Sequence, residues 1–244
     1  MKSHHTTVHP EEATSFQAPS RKVRSRQRPA HISSGGEDPL EALARAALAV
    51  PVTLSKPALE GCKRYVETLL LWRQRISLTS AKTPQSIVLD HILDSLYIAP
   101  FLKPGFRVVD IGSGAGFPGV PLAIVCPEAR FILLESRRKR ANFLREVARQ
   151  VQLPNVEVAE KRAEDLMVDL SQLFDLVVSR AVGPVRELLA LSATLVRRNG
   201  LVIAMKGPKG LDEPVAHPEF TAAAVVEYDL PSGARHLLLV HRRL

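Results

Sequence analysis

Asp110-Ile-Gly-Ser-Gly-Ala-Gly-Phe-Pro-Gly119 closes one short apolar run, Arg107–Ile111, and opens another, Val120–Val125. Strand, glycine-rich turn and helix in that order begin a doubly wound α/β sheet. The glycines let the backbone reach positive φ and approach a ligand closely. Glu135 ends the next apolar run, 23 residues beyond Gly112, near the spacing at which an acid meets the hydroxyls of an adenosine ribose. The glycines Gly112, Gly114 and Gly116 follow a GxGxG spacing, whereas dinucleotide folds use GxGxxG. Asp110 stands just before them. A carboxylate there would repel a pyrophosphate but could face the ammonium group of a methionine moiety, directly or through water. Pro118 and Pro121 also remove amides that a phosphate would use. The cofactor favoured is therefore S-adenosyl-L-methionine over NAD, with a purely structural glycine turn as the bland alternative.

Outward from this turn the same alternation continues. Phe131–Leu134, Val156–Ala159, Phe174–Val178 and Leu201–Met205 are further strand candidates, apolar enough to be buried on both faces of a parallel sheet. Leu144, Val147, Ala148 and Val151 mark one intervening helix, and Val185, Leu188, Leu189, Ser192 and Leu195 another. Ala224–Leu230 and His236–His241 read as two strands joined across Pro231–Arg235, a hairpin-length connection. Parallel βα units closed by an antiparallel hairpin predict a class I, Rossmann-like methyltransferase sheet of seven strands.

Upstream, Asp38-Pro39 is an N-cap followed by proline at the first helical position. Leu40, Leu43, Ala44, Ala47 and Leu48 then repeat at helical spacing. A second helix is predicted from about Lys56 to Arg75 and a third from Thr83-Pro84 to Leu96. Residues 1–37 show no hydrophobic periodicity. Ser20–Pro29 holds five cations in ten residues, the composition of a disordered basic arm. The chain thus divides into an arm (1–37), a helical cap (38–104) and a methyltransferase domain (105–244).

The bulk composition narrows the classes. The 244 residues are 45% hydrophobic, enough for a globular core, and no apolar run approaches the roughly 20 residues that span a bilayer. No secretory signal is visible, and the two cysteines, Cys62 and Cys126, form no CxxC or Cys/His cluster. Both features suit a reducing cytoplasm with neither disulfide nor metal. The net charge is +8; residues 1–39 carry six Lys/Arg against four Asp/Glu, leaving +6 on the remainder. A basic folded body points to a polyanionic partner such as nucleic acid.

On the acceptor side, the fourth strand runs into Ser179-Arg180-Ala181-Val182. It lacks the Asn/Asp-Pro-Pro-aromatic pattern of amino-group methyltransferases, and it lacks a cysteine for attack on a pyrimidine ring. Arg180 suits a phosphate or the N7/O6 face of a guanine, and Lys206, after the fifth strand, points to the same rim. These two are the catalytic candidates. Guanine N7 has a free lone pair, so its methylation needs alignment rather than a general base. After the third strand, Ala163 and Glu164 can offer an amide and an acceptor to an adenine edge. Cations at Arg137–Arg140 open a helix against its dipole, which favours an RNA-phosphate role. His91 and Asp94, three apart on the third helix, read as a polar network near the donor pocket.

The chain resembles a known family, the bacterial 16S ribosomal RNA guanine-N7 methyltransferases (glucose-inhibited division protein B), from about Leu54 to Val240. The landmarks are His91-Ile-Leu-Asp-Ser95, Asp110–Gly119, Leu134-Glu-Ser136 with Lys139-Arg140 and Phe143-Leu144, Ser179-Arg-Ala181, Lys206-Gly207 and Arg235-His-Leu237. The resemblance implies donor contacts at Gly112, Phe117, Ala163, Glu164 and Arg180. Asp110, Gly114, Gly116, Glu135 and Ser136 complete the cofactor-binding candidates. It further implies a target guanine, position 527, in the 530 loop of 16S rRNA near the decoding centre, whose undermethylation is associated with streptomycin resistance. A monomeric cytoplasmic enzyme acting on 16S rRNA in the 30S subunit or an assembly intermediate is expected. A small-molecule methyltransferase, a non-catalytic RNA-binding or assembly protein and a dehydrogenase are the alternatives. Where the family usually has Trp-Asn and then Asn-Leu-Thr, this chain has Trp72-Arg73 and Ser77-Leu-Thr79.

Overall fold

The computed structural model describes residues 23–24, 38–50, 52–81, 83–165, 173–180, 183–213 and 215–244. Helices come first: α1 (Pro39–Ala46), α2 (Lys56–Trp72), α3 (Pro84–Ile87) and α4 (Leu93–Leu96). The Asp38 side chain caps α1 as the sequence predicts, accepting from the Leu40 amide at 2.8 Å. Thr83 and Ser86 form a capping box at the start of α3. Between α3 and α4 the backbone takes one wide π-helical turn, Val88–Ile92, in which the Leu93 amide donates to Val88 five residues back. The expected single helix from Thr83 to Leu96 is therefore continuous but not uniform.

The alternation that follows is β2 (Arg107–Ile111), α5 (Gly119–Val125), β3 (Arg130–Leu134), α6 (Arg138–Val151), β4 (Val156–Ala159), β5 (Phe174–Arg180), α7 (Val185–Leu195), β6 (Val196–Lys206), β7 (Phe220–Asp229) and β8 (Arg235–Arg243). The strand order is β7-β8-β6-β5-β2-β3-β4. Strands β2 to β6 run parallel, and β8 lies antiparallel between β6 and β7. This is the seven-stranded sheet with a C-terminal hairpin that the sequence predicts. Of the basic arm, only Val23–Arg24 are described, as a two-residue strand β1 parallel to the edge strand β7; the rest lies outside the described residues.

Alternate residues of the central strands enter opposite layers. Val108, Phe131, Leu133 and Leu176 join Leu43, Leu69, Leu122 and Leu144 from the helices on one face. Val109, Ile111, Val177 and Val202 meet Leu188, Leu189 and Leu195 of α7 on the other. Each such fully buried leucine contributes about 2 kcal/mol of transfer free energy. Strand β6 begins five residues earlier than its apolar run, because Val196 already pairs with Phe174 and a register shift absorbs the intervening turn. There Asn199 takes φ +62°, a left-handed value that asparagine tolerates.

Strand β2 is flanked by β3 on one side and β5 on the other. The chain leaves β2 toward β3 and leaves β5 toward β6, so the connections diverge at the carboxyl ends of β2 and β5. A crevice at that point is the usual ligand site of an open α/β sheet. Ser179 spans the seam, its hydroxyl donating to the Ile111 carbonyl at 2.9 Å.

Candidate functional site

Two adjacent cavities open at that divergence. One, of about 540 Å³, is lined by Gly112, Glu135, Ser136, Ala163 and Glu164 among others. Its neighbour, of about 480 Å³, is lined by Thr79, His91, Gly114, Phe117, Arg140 and Arg180 among others. Gly112, Glu135 and Arg137 belong to both. Each volume is in the range of a small-molecule site, and together they suit an elongated ligand bent around the glycine turn.

The turn is held from below and from the side. Gly112, Gly114 and Gly116 all take positive φ, at 72°, 57° and 98°. Both Gly112 and Ser113 donate their amides to the Leu134 carbonyl, tying the turn to the end of β3. Glu135, almost fully buried, accepts from the Gly114 amide at 3.1 Å through one carboxylate oxygen and from the Arg137 amide at 2.8 Å through the other. A carboxylate oxygen accepts more than one hydrogen bond, so Glu135 retains capacity toward two adjacent hydroxyls.

Asp110 lies at the end of β2, beside the turn. It is fully buried and does not line either cavity. One oxygen accepts from the Gly119 amide at 3.0 Å, capping α5 across the turn, and the other has no hydrogen-bond partner. Burial pushes its carboxyl up to about 7, with the Gly119 amide opposing. The carboxylate is directed at the start of α5, so close to Gly119 that a Cβ there would stand 2.7 Å from it. Gly116 is likewise structural, since a Cβ there would stand 2.7 Å from Val120 and 3.0 Å from the Tyr65 hydroxyl. Tyr65, from α2, donates to the Ala115 carbonyl at 2.6 Å and was not singled out by sequence patterning.

Phe117 forms the floor of the second cavity. Its ring packs 5.0 Å from His91 and 5.5 Å from Tyr65, and the Arg180 guanidinium lies 5.7 Å above its centre. Arg180 ends β5, and its nitrogens turn inward. One lies 2.8 Å from His91 Nδ1, the other 3.4 Å from an Asp94 oxygen. Nδ1 also lies 2.9 Å from the Asp90 carbonyl, and Nε2 lies 2.9 Å from the Thr79 hydroxyl. Burial, reinforced by Arg180, lowers the His91 pKa and keeps the ring neutral. Nη2 carries the contacts to His91 and to the Asp90 carbonyl, while Nη1 is buried against Asp94 with no hydrogen-bond partner among the described residues.

Lys206 follows Met205, which pairs with Arg180, and so reaches the same sheet edge. Its ammonium is committed there, at 2.6 Å from the Gly183 carbonyl and 2.8 Å from Glu213. Glu213 in turn accepts from the Val185 amide at the start of α7. Lys206 is not among the residues that line either cavity, and the segment Pro208–Asp212 leads back to its partner Glu213. Ala181 and Val182, of the predicted acceptor segment, lie outside the described residues. The cysteines are inert packing groups, with burial raising the Cys62 thiol to about 12 and Cys126 to about 11.

Around the mouth the side chains of Arg137, Arg138 and Lys139 are exposed and make no ion pair among the described residues. Arg140 reaches back to the Ser77 carbonyl at 3.2 Å. Among the described residues no three metal-ligating side chains come together, and no helix is long and apolar enough to cross a membrane.

Comparison with known proteins agrees with this geometry. A family model described as GidB, rRNA small subunit methyltransferase G, matches residues 58–238. The ribosomal RNA small subunit methyltransferase G of Dichelobacter nodosus is 37% identical over 205 residues, covering 83% of this chain and 95% of that one. Its counterpart in Actinobacillus succinogenes is 38% identical over 192 residues, covering 78% and 90%. Among solved structures, a putative O-methyltransferase from Klebsiella pneumoniae superposes with a TM-score of 0.54 over 75% of this chain and 89% of that one. At 15% identity, that likeness speaks for the fold alone.

Proposed function

The chain belongs to the rRNA small subunit methyltransferase G (GidB) family, and on that premise we propose that it transfers a methyl group from S-adenosyl-L-methionine to N7 of a guanine in 16S rRNA. The observation that carries this reading is the pair of adjacent cavities at the carboxyl ends of β2 and β5, which share Gly112, Glu135 and Arg137, with the exposed cations Arg138 and Lys139 next in the chain. Donor contacts are assigned to Gly112, Gly114, Phe117, Glu135, Ser136, Ala163, Glu164 and Arg180. The residues fit such a group: Glu135 can accept from two hydroxyls, Ala163 and Glu164 border the same cavity, and Arg180 offers a cation to a carboxylate. When bound, the donor supplies an electrophilic methyl on a sulfonium.

What the chain itself must do is modest. Guanine N7 attacks with a lone pair it already has, so no side chain need take a proton from it. Both His91 ring nitrogens are already engaged, Nδ1 beside Arg180 and the Asp90 carbonyl and Nε2 beside the Thr79 hydroxyl, which suits chemistry that needs no base. Holding the lone pair in line with the methyl is itself worth several kcal/mol, roughly 7–11 at the limit of good alignment. Water exclusion falls to Phe117 and Leu78, and Asp110, Gly116 and Lys206 serve the scaffold.

The cations Arg137, Arg138 and Lys139 meet the RNA backbone. A-form helices hide N7 in a deep, narrow groove, so the target lies in a loop, and we assign it to guanine 527 in the 530 loop. The test incubates the full chain and labelled donor with 30S subunits, and separately with free 16S rRNA, both from cells lacking the gene. Label mapping to N7 of that guanine is expected. Unlabelled RNA in both arms, with donor still bound, refutes the reading.

A further inference from the structure

Asp94 is fully buried behind the site, and nothing in the chemistry above uses it. Three elements converge on it. Its Oδ1 accepts from the Tyr228 hydroxyl of β7 at 2.7 Å and lies 2.8 Å from His236 Nδ1 of β8. Tyr228 and His236 are paired across the hairpin, and the Tyr228 ring stacks on Tyr97 at 3.7 Å. Its Oδ2 faces Arg180 Nη1 at 3.4 Å. Neither of those two atoms has a hydrogen-bond partner among the described residues, so what joins them is charge across a short, buried gap.

Such an arrangement does two things. A buried carboxylate fixed on one side by two donors cannot swing, so it holds the guanidinium from behind while His91 holds it from the side. It also offsets the guanidinium charge, so that a sulfonium-bearing donor meets a neutral pair rather than a bare cation. We propose that Asp94 is a positioning residue for Arg180, held in place by Tyr228 and His236, and that the β7–β8 hairpin thereby sets affinity for the methyl donor. The inference rests on the cavities being the donor site.

Asp94→Asn leaves its partners unpaired in the interior and risks the fold, so the test uses Tyr228→Phe and His236→Gln in the full chain. Calorimetry with S-adenosyl-L-methionine is expected to give a Kd roughly three- to tenfold weaker for each. The donor KM should rise with it, while kcat per folded enzyme stays close to the parent; the melting temperature falls for Tyr228→Phe, whose lost hydrogen bond is to a buried carboxylate. In an Arg180→Lys background the same substitutions should change Kd by less than about twofold, because the group they position is gone. Unchanged Kd in the single variants, or a full loss in the Arg180→Lys background, overturns the proposal. A purely structural network would lower the melting temperature and the active fraction but leave Kd and KM intact, which also overturns the proposal. Failure of the parent protein to bind the donor would refute the donor-site reading itself.

Discussion

Replacing Asp110 with asparagine isolates the cost of a charge buried beneath the glycine turn. The carboxylate is wholly enclosed, with one oxygen on the Gly119 amide and the other without a partner. Burial moves its pKa from the ordinary 3.8 to about 7. At about 1.4 kcal/mol per pH unit, the ionised form costs the fold on the order of 4 kcal/mol. The folded pKa lies above the unfolded one, so the stability held below pH 3.8 is lost as pH rises through about 7. His91 and His241 are shifted downward, chiefly by burial, and have the opposite slope, with stability lost as pH falls below about 6.5. Comparing variant with parent at each pH cancels the histidines. Asparagine can keep an acceptor on Gly119 but must bury an amide where the orphan oxygen was, so only part of the cost is recovered. The expected gain at pH 8 is about 1–2 kcal/mol, or roughly 2–8 °C in melting temperature, shrinking toward zero near pH 4. Urea denaturation between pH 4 and pH 8 reads it. A variant whose stability relative to the parent is the same at both ends refutes the reasoning. Donor affinity should move the other way, since the lost charge is negative and the donor carries a cation.

Gly119→Ala should be severely destabilising, by about 2–3 kcal/mol in thermal unfolding, since overpacking of this kind strains a core. The new Cβ would lie 2.3 Å from Leu133 and 2.7 Å from the Asp110 carboxylate. The double variant Arg138→Gln, Lys139→Gln should reduce the salt slope of RNA binding by about 0.7 per cation removed. It should also stabilise α6 by roughly 0.3–1 kcal/mol, because both cations oppose its dipole; donor Kd is unchanged. Lys206→Gln should lower stability through the loss of its contacts to Gly183 and Glu213. Its kcat per folded enzyme should remain within a few-fold of the parent, which a steady-state assay with active-site titration checks.

The sheet was legible because its strands are buried on both faces and read as unbroken apolar runs. The glycine turn was legible because Gly112, Gly114 and Gly116 each need positive φ, a demand few other residues meet. Phe117, Glu135 and Arg180 all line the cavities at the end of the sheet. Strand and spacing fix where Asp110 and Lys206 sit along the chain but not what packs against them: Asp110 turns to the Gly119 amide and Lys206 to Glu213. Tyr65 and Tyr228 carry no local signal, and His236 only its place in the family landmark Arg235-His-Leu237. They lie on apolar stripes or a hairpin and become polar partners only when segments 50 to 142 residues apart are brought together.

The π-helical turn at Val88–Ile92 bears on which changes of length this chain can accept. It holds one residue more than a regular turn, and that surplus sets the phase between His91 on the turn and Asp94 just beyond it. Deleting a single residue there would restore regular hydrogen bonding and improve local helix geometry. Everything beyond would rotate by about 100°, carrying Asp94 away from Tyr228 and His236. The helix is thus intolerant of the deletion that local energetics would favour, and insertions or deletions should be confined to the loops on either side. Redesign for stability that regularises this helix would give a better helix and a worse enzyme.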